Sequence, residues 1–398
     1  MGWTTTSAQH TRGALITPQM QISLQEDRDR AVVARGKLER SCLQEGTALE
    51  PTEQRGAINP DAGAGFGGGG GGAAAASASK KKAGGKKKAA GKKAPAKKTK
   101  SGLPSFKSAM AAEMKKNGVV RIDGALSPET VEKLREFVDA ERVRCTEGVA
   151  KGHVAKEERF ADLVLLDKRC DLLMPLHGPV LDALDELLGE GSVVGPLLAE
   201  ITGADGYLQE LACLISEPGS EQQPLHPDTP YTATPSAFTA FIALQDVTID
   251  MGPTVYLPGT QTEECHKTFF GGDLAIAHDP CGVRRPPVPE EFLKSRPVKL
   301  GLLKAGDCAL YNQQTLHCGS ANQSDRTRRQ FYISVRNPNV DAKTQASIRP
   351  SFLKKLPLAD MRAELKALKA GGGGLFAKLD ERDAAVVRQR ASPATPAQ

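Results

Sequence analysis

The chain has 398 residues, 39% of them hydrophobic, and a formal net charge of +6. Eleven lysines and no acid lie between Lys80 and Lys100, so the remainder carries about −5, which argues against a folded face built to hold nucleic acid. Eight cysteines with no CxxC pair exclude a zinc ribbon and a disulfide framework, and no apolar run reaches the length of a membrane span.

Residues 1–102 read as a disordered arm. The runs Gly67–Gly72 and Ala73–Ala76 and the lysine clusters that follow cannot bury enough apolar surface to offset chain entropy. A GxGxxG pattern from Gly65 to Gly70 follows no strand and opens no helix, so it is a product of composition. The lysine tract suits a nuclear address, a polyanion-binding arm or a solvated tail. Met1-Gly2 with Thr6, and the Ser- and Thr-rich stretch before Glu26, are weak targeting patterns. An intracellular, cytoplasmic chain is expected, with nuclear or organellar targeting left open.

One folded domain is expected over residues 103–370, followed by a flexible tail, 371–398. A helix is predicted from Phe106 to Lys116 and a short strand from Gly118 to Ile122. Ser127-Pro128-Glu129 supplies a cap, a proline at the first helical position and an acid in the first turn; the helix it opens runs to about Arg144. Another helix is predicted over Pro179–Leu188. From Tyr207 the texture changes to short strands near Leu208–Ile215, Phe238–Leu244, Val255–Leu257, Asp307–Leu316 and Thr327–Val335. Such strands, punctuated by Gly and Pro, indicate an antiparallel barrel or jelly roll. Gly271–Pro297 is read as a proline-rich loop or lid, and a last helix spans about Leu358–Ala370, with order ending at Gly371–Gly374.

His226-Pro227-Asp228 is the only His-x-Asp in the chain. Residues two apart on a strand project to the same face, so this pair can grip one metal ion together. A second histidine, His317, would complete a set of two imidazoles and one carboxylate, the facial triad of non-haem Fe(II) oxygenases. The bland alternative is a surface loop. Arg328 lies eleven residues beyond His317. Alternation puts Arg328, Gln330, Tyr332 and Ser334 on one face of the last strand and Arg329, Phe331, Ile333 and Val335 on the other. The apolar face suits a core; the polar one suits the inside of a liganded barrel. Arginine's fixed charge and two-pronged geometry fit a buried dicarboxylate cosubstrate. Arg328 is favoured over Arg326 and Arg329 by face and by spacing. His10, His153, His177, His266 and His278 lack a carboxylate two residues on and are assigned no metal.

Residues 106–336 resemble the phytanoyl-CoA dioxygenase family of Fe(II)/2-oxoglutarate oxygenases. The resemblance runs through Asn117–Glu129, His226-Pro227-Asp228, Phe241–Thr248, Gly252-Pro253-Thr254 with Leu257-Pro258-Gly259-Thr260, and His317, Asn322 and Arg328. It implies Fe(II) on His226, Asp228 and His317, with 2-oxoglutarate and O2 as cosubstrates and Arg328, Phe241 and Asn322 around the 2-oxoglutarate. Three positions depart from the family pattern. Phe241 stands where Trp is usual, Gln261 where His is common, and Gly319 where Ser is frequent.

The expected fold is mostly β with flanking helices: a double-stranded β-helix (jelly roll, cupin-like) core behind a disordered N-terminal arm. The expected function is a dioxygenase that hydroxylates a small organic or acyl substrate, releasing succinate and CO2. The partners are that small molecule and, through Lys80–Lys100, a polyanion. The alternatives are a non-catalytic jelly-roll binding protein led by its basic arm, and a related oxygenase with other oxidative chemistry. Halogenation is disfavoured because Asp228 occupies the position that a halogenase leaves to a small residue.

Overall fold

A computed structural model describes residues 47–51, 106–161, 167–203, 205–272, 290–340 and 356–379. The lysine tract and the runs of glycine and alanine lie outside the described residues.

In chain order the elements are strand β1 (Thr47–Ala48), helix α1 (Phe106–Asn117), β2 (Val119–Ile122), α2 (Pro128–Ala150), β3 (Phe160–Ala161) and β4 (Arg169–Leu173). Helices α3 (Pro179–Leu188) and α4 (Val194–Thr202) lead into the long strands β5 (Tyr207–Ser216) and β6 (Ala237–Ala243). Then come β7 (Thr254–Tyr256), α5 (Glu263–Phe269), α6 (Glu290–Lys294), β8 (Lys299–Leu300), β9 (Cys308–Asn312), β10 (His317–Gly319), β11 (Arg328–Arg336) and α7 (Leu358–Lys369).

Two sheets face each other in a double-stranded β-helix. The larger has the order β2-β9-β6-β11-β5-β4-β3 and the smaller β1-β8-β7-β10. Strand β11 lies at the centre of the larger sheet, antiparallel to both β5 and β6. Alternation then divides its side chains as the sequence predicts. Phe331, Ile333 and Val335 join the core beneath the helices, whereas Tyr332 joins an interior cluster with Phe241, Tyr311, Tyr256 and Ala212. Helices α1 to α4 and α7 cover the outer face of the large sheet through Met110, Leu134, Leu184, Leu198 and Met361. A separate cluster of Leu225, Val255, Phe269, Phe270, Phe292 and Cys318 backs the small sheet. Cys318 thus faces away from its neighbour His317, as adjacent strand residues must.

Helix α2 starts where its cap predicts. Ser127 Oγ accepts the Thr130 N–H at 3.3 Å, and the Glu186 carboxylate on α3 accepts from Ser127 N, Ser127 Oγ and Thr130 Oγ1. Its end lies beyond Arg144, at Ala150, because Cys145 extends the buried stripe of Val131, Leu134 and Val138 by about two turns.

Four other expectations need correction. The arm is not wholly outside the fold. Thr47–Ala48 pairs in parallel with Lys299–Leu300, the Leu49 N–H donates to Leu300 O at 2.7 Å, and the Leu49 side chain is buried inside the barrel. The proline-rich segment contains helix α6 before β8, while 273–289 lies outside the described residues. Asp307–Leu316 is not one strand, since Asn312–Thr315 turns the chain from β9 in one sheet to β10 in the other. Order does not end at Gly371–Gly374. Residues 375–379 form a further helical turn with Phe376 and Leu379 buried in the main core, and Glu364 accepts the N–H groups of Gly374 and Leu375.

Candidate metal centre

His226 and His317 exchange both backbone hydrogen bonds, at 3.0 and 2.9 Å, as an isolated antiparallel bridge. Asp228 lies in the bend just after the bridge, its N–H donating to Gln313 O at 2.8 Å. The bridge is shorter than the strand expected, but it has the same effect. Residues 226 and 228 project to one side, and the partner histidine stands beside them. Ligand atoms of His226, Asp228 and His317 lie within 4.8 Å of one another. Asp228 Oδ1 is 3.7 Å from His226 Nε2 and 3.5 Å from His317 Nε2.

Both imidazoles are oriented from behind. His226 Nδ1 lies 2.7 Å from Pro224 O and His317 Nδ1 lies 2.9 Å from Thr315 O. A carbonyl oxygen is only an acceptor, so each Nδ1 carries the proton and each Nε2 presents its lone pair toward Asp228. The Tyr311 hydroxyl donates to Asp228 Oδ2 at 2.8 Å, leaving Oδ1 turned toward the imidazoles. Tyr311 also packs against His317, with ring centroids 4.8 Å apart. Sequence reading missed Tyr311. The signal available was alternation along β9, which points Ala309 and Tyr311 inward together.

Arg328 is fully buried on the inner face of β11. Its Nη2 donates to Ser216 Oγ at 3.1 Å, while Nε and Nη1 have no partner. Burial, aided by the nearby Arg169, pushes its guanidinium down to about 9. No carboxylate among the described residues lies within ion-pair distance of it. Arg329 points the other way and pairs with Asp139 of α2 at 2.6 Å, and Arg326 donates to Thr248 at the exposed rim. Of the three arginines, only Arg328 faces the interior.

Phe241 lies in the interior cluster, its ring centroid 5.3 Å from that of Tyr311 and 5.2 Å from that of Tyr332. Asn322 is different. Its Nδ2 donates to Ser216 O and Arg326 O, and its Oδ1 accepts from Ser324 N and Ser324 Oγ. Every polar atom of that side chain is thus engaged in folding the loop before β11, so its observed role is to shape the approach to Arg328's strand. His266 is a buried packing residue on α5, its Nε2 against Gln314 O and its ring beside Tyr231 and Phe270. Burial lowers its pKa.

A further buried acid was not foreseen. Asp171 on β4 accepts the Tyr332 hydroxyl at 2.6 Å through Oδ2, and its Oδ1 has no partner. Burial raises its carboxyl to about 7, with Glu210 and Asp228 adding to the rise.

The donor set suits iron and a dicarboxylate. Two imidazoles and one carboxylate on one side of a metal leave its opposite positions open. The unpartnered Nε and Nη1 of a fully buried arginine demand an anion.

A family model described as phytanoyl-CoA dioxygenase (PhyH) matches residues 114–330, more than half of the chain. The chain belongs to this family. Phytanoyl-CoA dioxygenase family enzymes use Fe(II), 2-oxoglutarate and O2, so the chain is an oxidoreductase of this class. A comparison with curated proteins finds no match. Among solved structures, the α-ketoglutarate-dependent epimerase SnoN from nogalamycin biosynthesis is 19% identical, over 62% of this chain and 87% of its own, with a TM-score of 0.40. The carbocyclase SnoK from the same biosynthesis is 20% identical, over 62% and 89%, with a TM-score of 0.40. AviO1 from Streptomyces viridochromogenes Tue57 is 16% identical, over 59% and 96%, with a TM-score of 0.41.

Proposed function

We propose that this chain hydroxylates a small organic substrate, with His226, Asp228 and His317 as the iron ligands and Arg328 as the anchor of 2-oxoglutarate. The observation that carries the reading is the pairing of a three-donor site with a buried, acid-free arginine on the inner face of the same barrel. When bound, iron and 2-oxoglutarate supply the oxidising chemistry: O2 is consumed, 2-oxoglutarate becomes succinate and CO2, and one oxygen atom enters a substrate C–H bond. The carbonyls of Pro224 and Thr315 hold the two imidazoles in the tautomer that ligates, and Tyr311 fixes the rotation of Asp228. Phe241, Tyr311 and Tyr332 line the chamber with aromatic surface that excludes water around the reacting groups.

Asp228 supports hydroxylation over halogenation, since it fills the coordination position a halide would need. The test is a panel of candidate small molecules incubated with the iron-loaded enzyme, 2-oxoglutarate and O2. A substrate is recognised by stimulated succinate release and a product heavier by one oxygen atom. A product of unchanged composition, or a loss of two hydrogens only, would replace hydroxylation with isomerisation or desaturation.

A further inference from the structure

Arg328 does not stand alone in the interior. Arg169 on β4 and Arg328 on β11 flank Ser216 on β5 in one row across the sheet, because residue 216 is the register partner of both. Arg169 is buried, and no carboxylate among the described residues pairs with it. Its Nη2 donates to Glu221 O and Ser320 O, its Nε to Glu221 O, and its Nη1 to Ser216 Oγ at 2.7 Å. The same oxygen accepts Arg328 Nη2 at 3.1 Å.

A serine hydroxyl has two acceptor lone pairs and one proton. Two guanidinium N–H groups occupy both lone pairs of Ser216. The proton is thereby excluded from the directions of the two arginines, and no acceptor for it is present among the described residues. A buried hydroxyl without an acceptor is costly in the same way as an unpaired guanidinium N–H. The unpartnered Nε and Nη1 of Arg328 belong to the same guanidinium that bonds this hydroxyl, so an anion placed there would meet both needs.

Gly319 leaves room for this row. A Cβ at that position would lie 2.6 Å from Gln223 Oε1 and 3.0 Å from Arg169 Nη1, so the guanidinium of Arg169 needs the space a side chain would take. No hydroxyl stands on β10 at this point; the hydroxyl that Arg328 bonds is that of Ser216 on β5.

We infer that Ser216 donates a hydrogen bond to the far carboxylate of 2-oxoglutarate beside Arg328, and that Arg169 is the positioning residue that aims its proton there. The inference rests on the proposed role of Arg328. Arg169 needs no contact with the cosubstrate for this; it acts through the hydroxyl and adds a second positive charge near the bound anion.

The test is equilibrium calorimetry without O2 on the Fe(II)-loaded protein, with 2-oxoglutarate and with 2-oxopentanoate, which lacks the far carboxylate. Ser216→Ala is expected to weaken 2-oxoglutarate by about tenfold or more, the range for a hydrogen bond to a charged group, and to leave 2-oxopentanoate within about twofold. Arg169→Lys, which keeps the charge but loses the fork, is expected to weaken 2-oxoglutarate in the parent and to have little further effect in the Ser216→Ala background. Unchanged 2-oxoglutarate affinity in Ser216→Ala overturns the inference, as does an equal loss for both oxo acids. Full additivity of the two substitutions overturns the positioning role of Arg169. Arg328→Lys separates the levels. If it loses 2-oxoglutarate while Ser216→Ala does not, only this inference fails; if it too binds normally, the cosubstrate assignment fails with it.

Discussion

At the level of single residues, the proposed site combines a partly open ligand set, with Asp228 exposed, and a fully buried arginine with two unpartnered N–H groups. If Arg328 anchors 2-oxoglutarate, removing it would leave the far carboxylate buried and unpaired, at a cost of roughly 3–5 kcal/mol, or about two to nearly four orders of magnitude in affinity. Arg328→Ala should show that loss and Arg328→Lys a partial one, whereas Arg329→Ala, which breaks only the pair with Asp139, should be mild. Titration of 2-oxoglutarate into the three iron-loaded variants decides the matter, and a loss confined to Arg329→Ala would move the site by one register. Tyr311→Phe leaves packing intact but removes the donor to Asp228, so Fe(II) affinity should fall by about tenfold to a hundredfold. Iron retention against a chelator measures it, and unchanged retention would make Tyr311 a packing residue only. Asp171 gives a pH-dependent signature. Its folded pKa of about 7 lies above the unfolded value of 3.8, so the native state holds the extra proton between those limits. Stability attributable to this group is therefore full below about pH 4 and lost as pH rises through about 7. Asp171→Asn should be more stable than the parent at pH 8, by a few kcal/mol at most, and level with it near pH 4. Urea titrations of the metal-free proteins across that range would show the gap opening; a gap independent of pH would contradict it.

At the scale of elements, what was legible in the sequence followed local periodicity. The faces of β11 could be assigned because Phe331, Ile333 and Val335 alternate with polar residues, and helix α3 has the predicted bounds because its apolar stripe begins at a proline and ends at a glycine. The start of α2 was legible from its cap. Elements held by distant partners were not. β1 is two residues long, and only its pairing with β8 and the burial of Leu49 make it a strand. Phe376 and Leu379 follow a glycine run that ends a helix without ending the fold. Arg169 and Ser216 are unremarkable in sequence and come beside Arg328 only through the register of β4, β5 and β11. Spacing singled out Asn322, whose hydrogen bonds shape the loop before β11. Phe376→Ala should cost about 3–5 kcal/mol, as emptying a buried aromatic site does, and Leu49→Ala about 2 kcal/mol at the edge of the barrel. Chemical denaturation measures both. A neutral Phe376→Ala would show that residues 375–379 contribute nothing to the domain.

For the whole molecule, we propose a folded unit that extends beyond 103–370 to include the strand near Thr47 and the turn at 375–379. Removing only the lysine-rich stretch 80–100 should leave stability and turnover unchanged, whereas deleting 1–102 should lower the melting temperature by taking β1 with it. Equal melting temperatures for the two would return β1 to the arm. No described helix is long and apolar enough to cross a membrane. We propose that the row of Arg169, Ser216 and Arg328 and the three-donor set of His226, Asp228 and His317 form one cosubstrate-binding centre. It is tested most directly by following conversion of 2-oxoglutarate to succinate under O2 in three samples: iron-loaded parent, metal-free parent, and iron-supplied Asp228→Ala. Succinate is expected from the first alone, with the Asp228→Ala protein folded and melting near the parent's temperature. Succinate formed at the parental rate by either of the other two would contradict it.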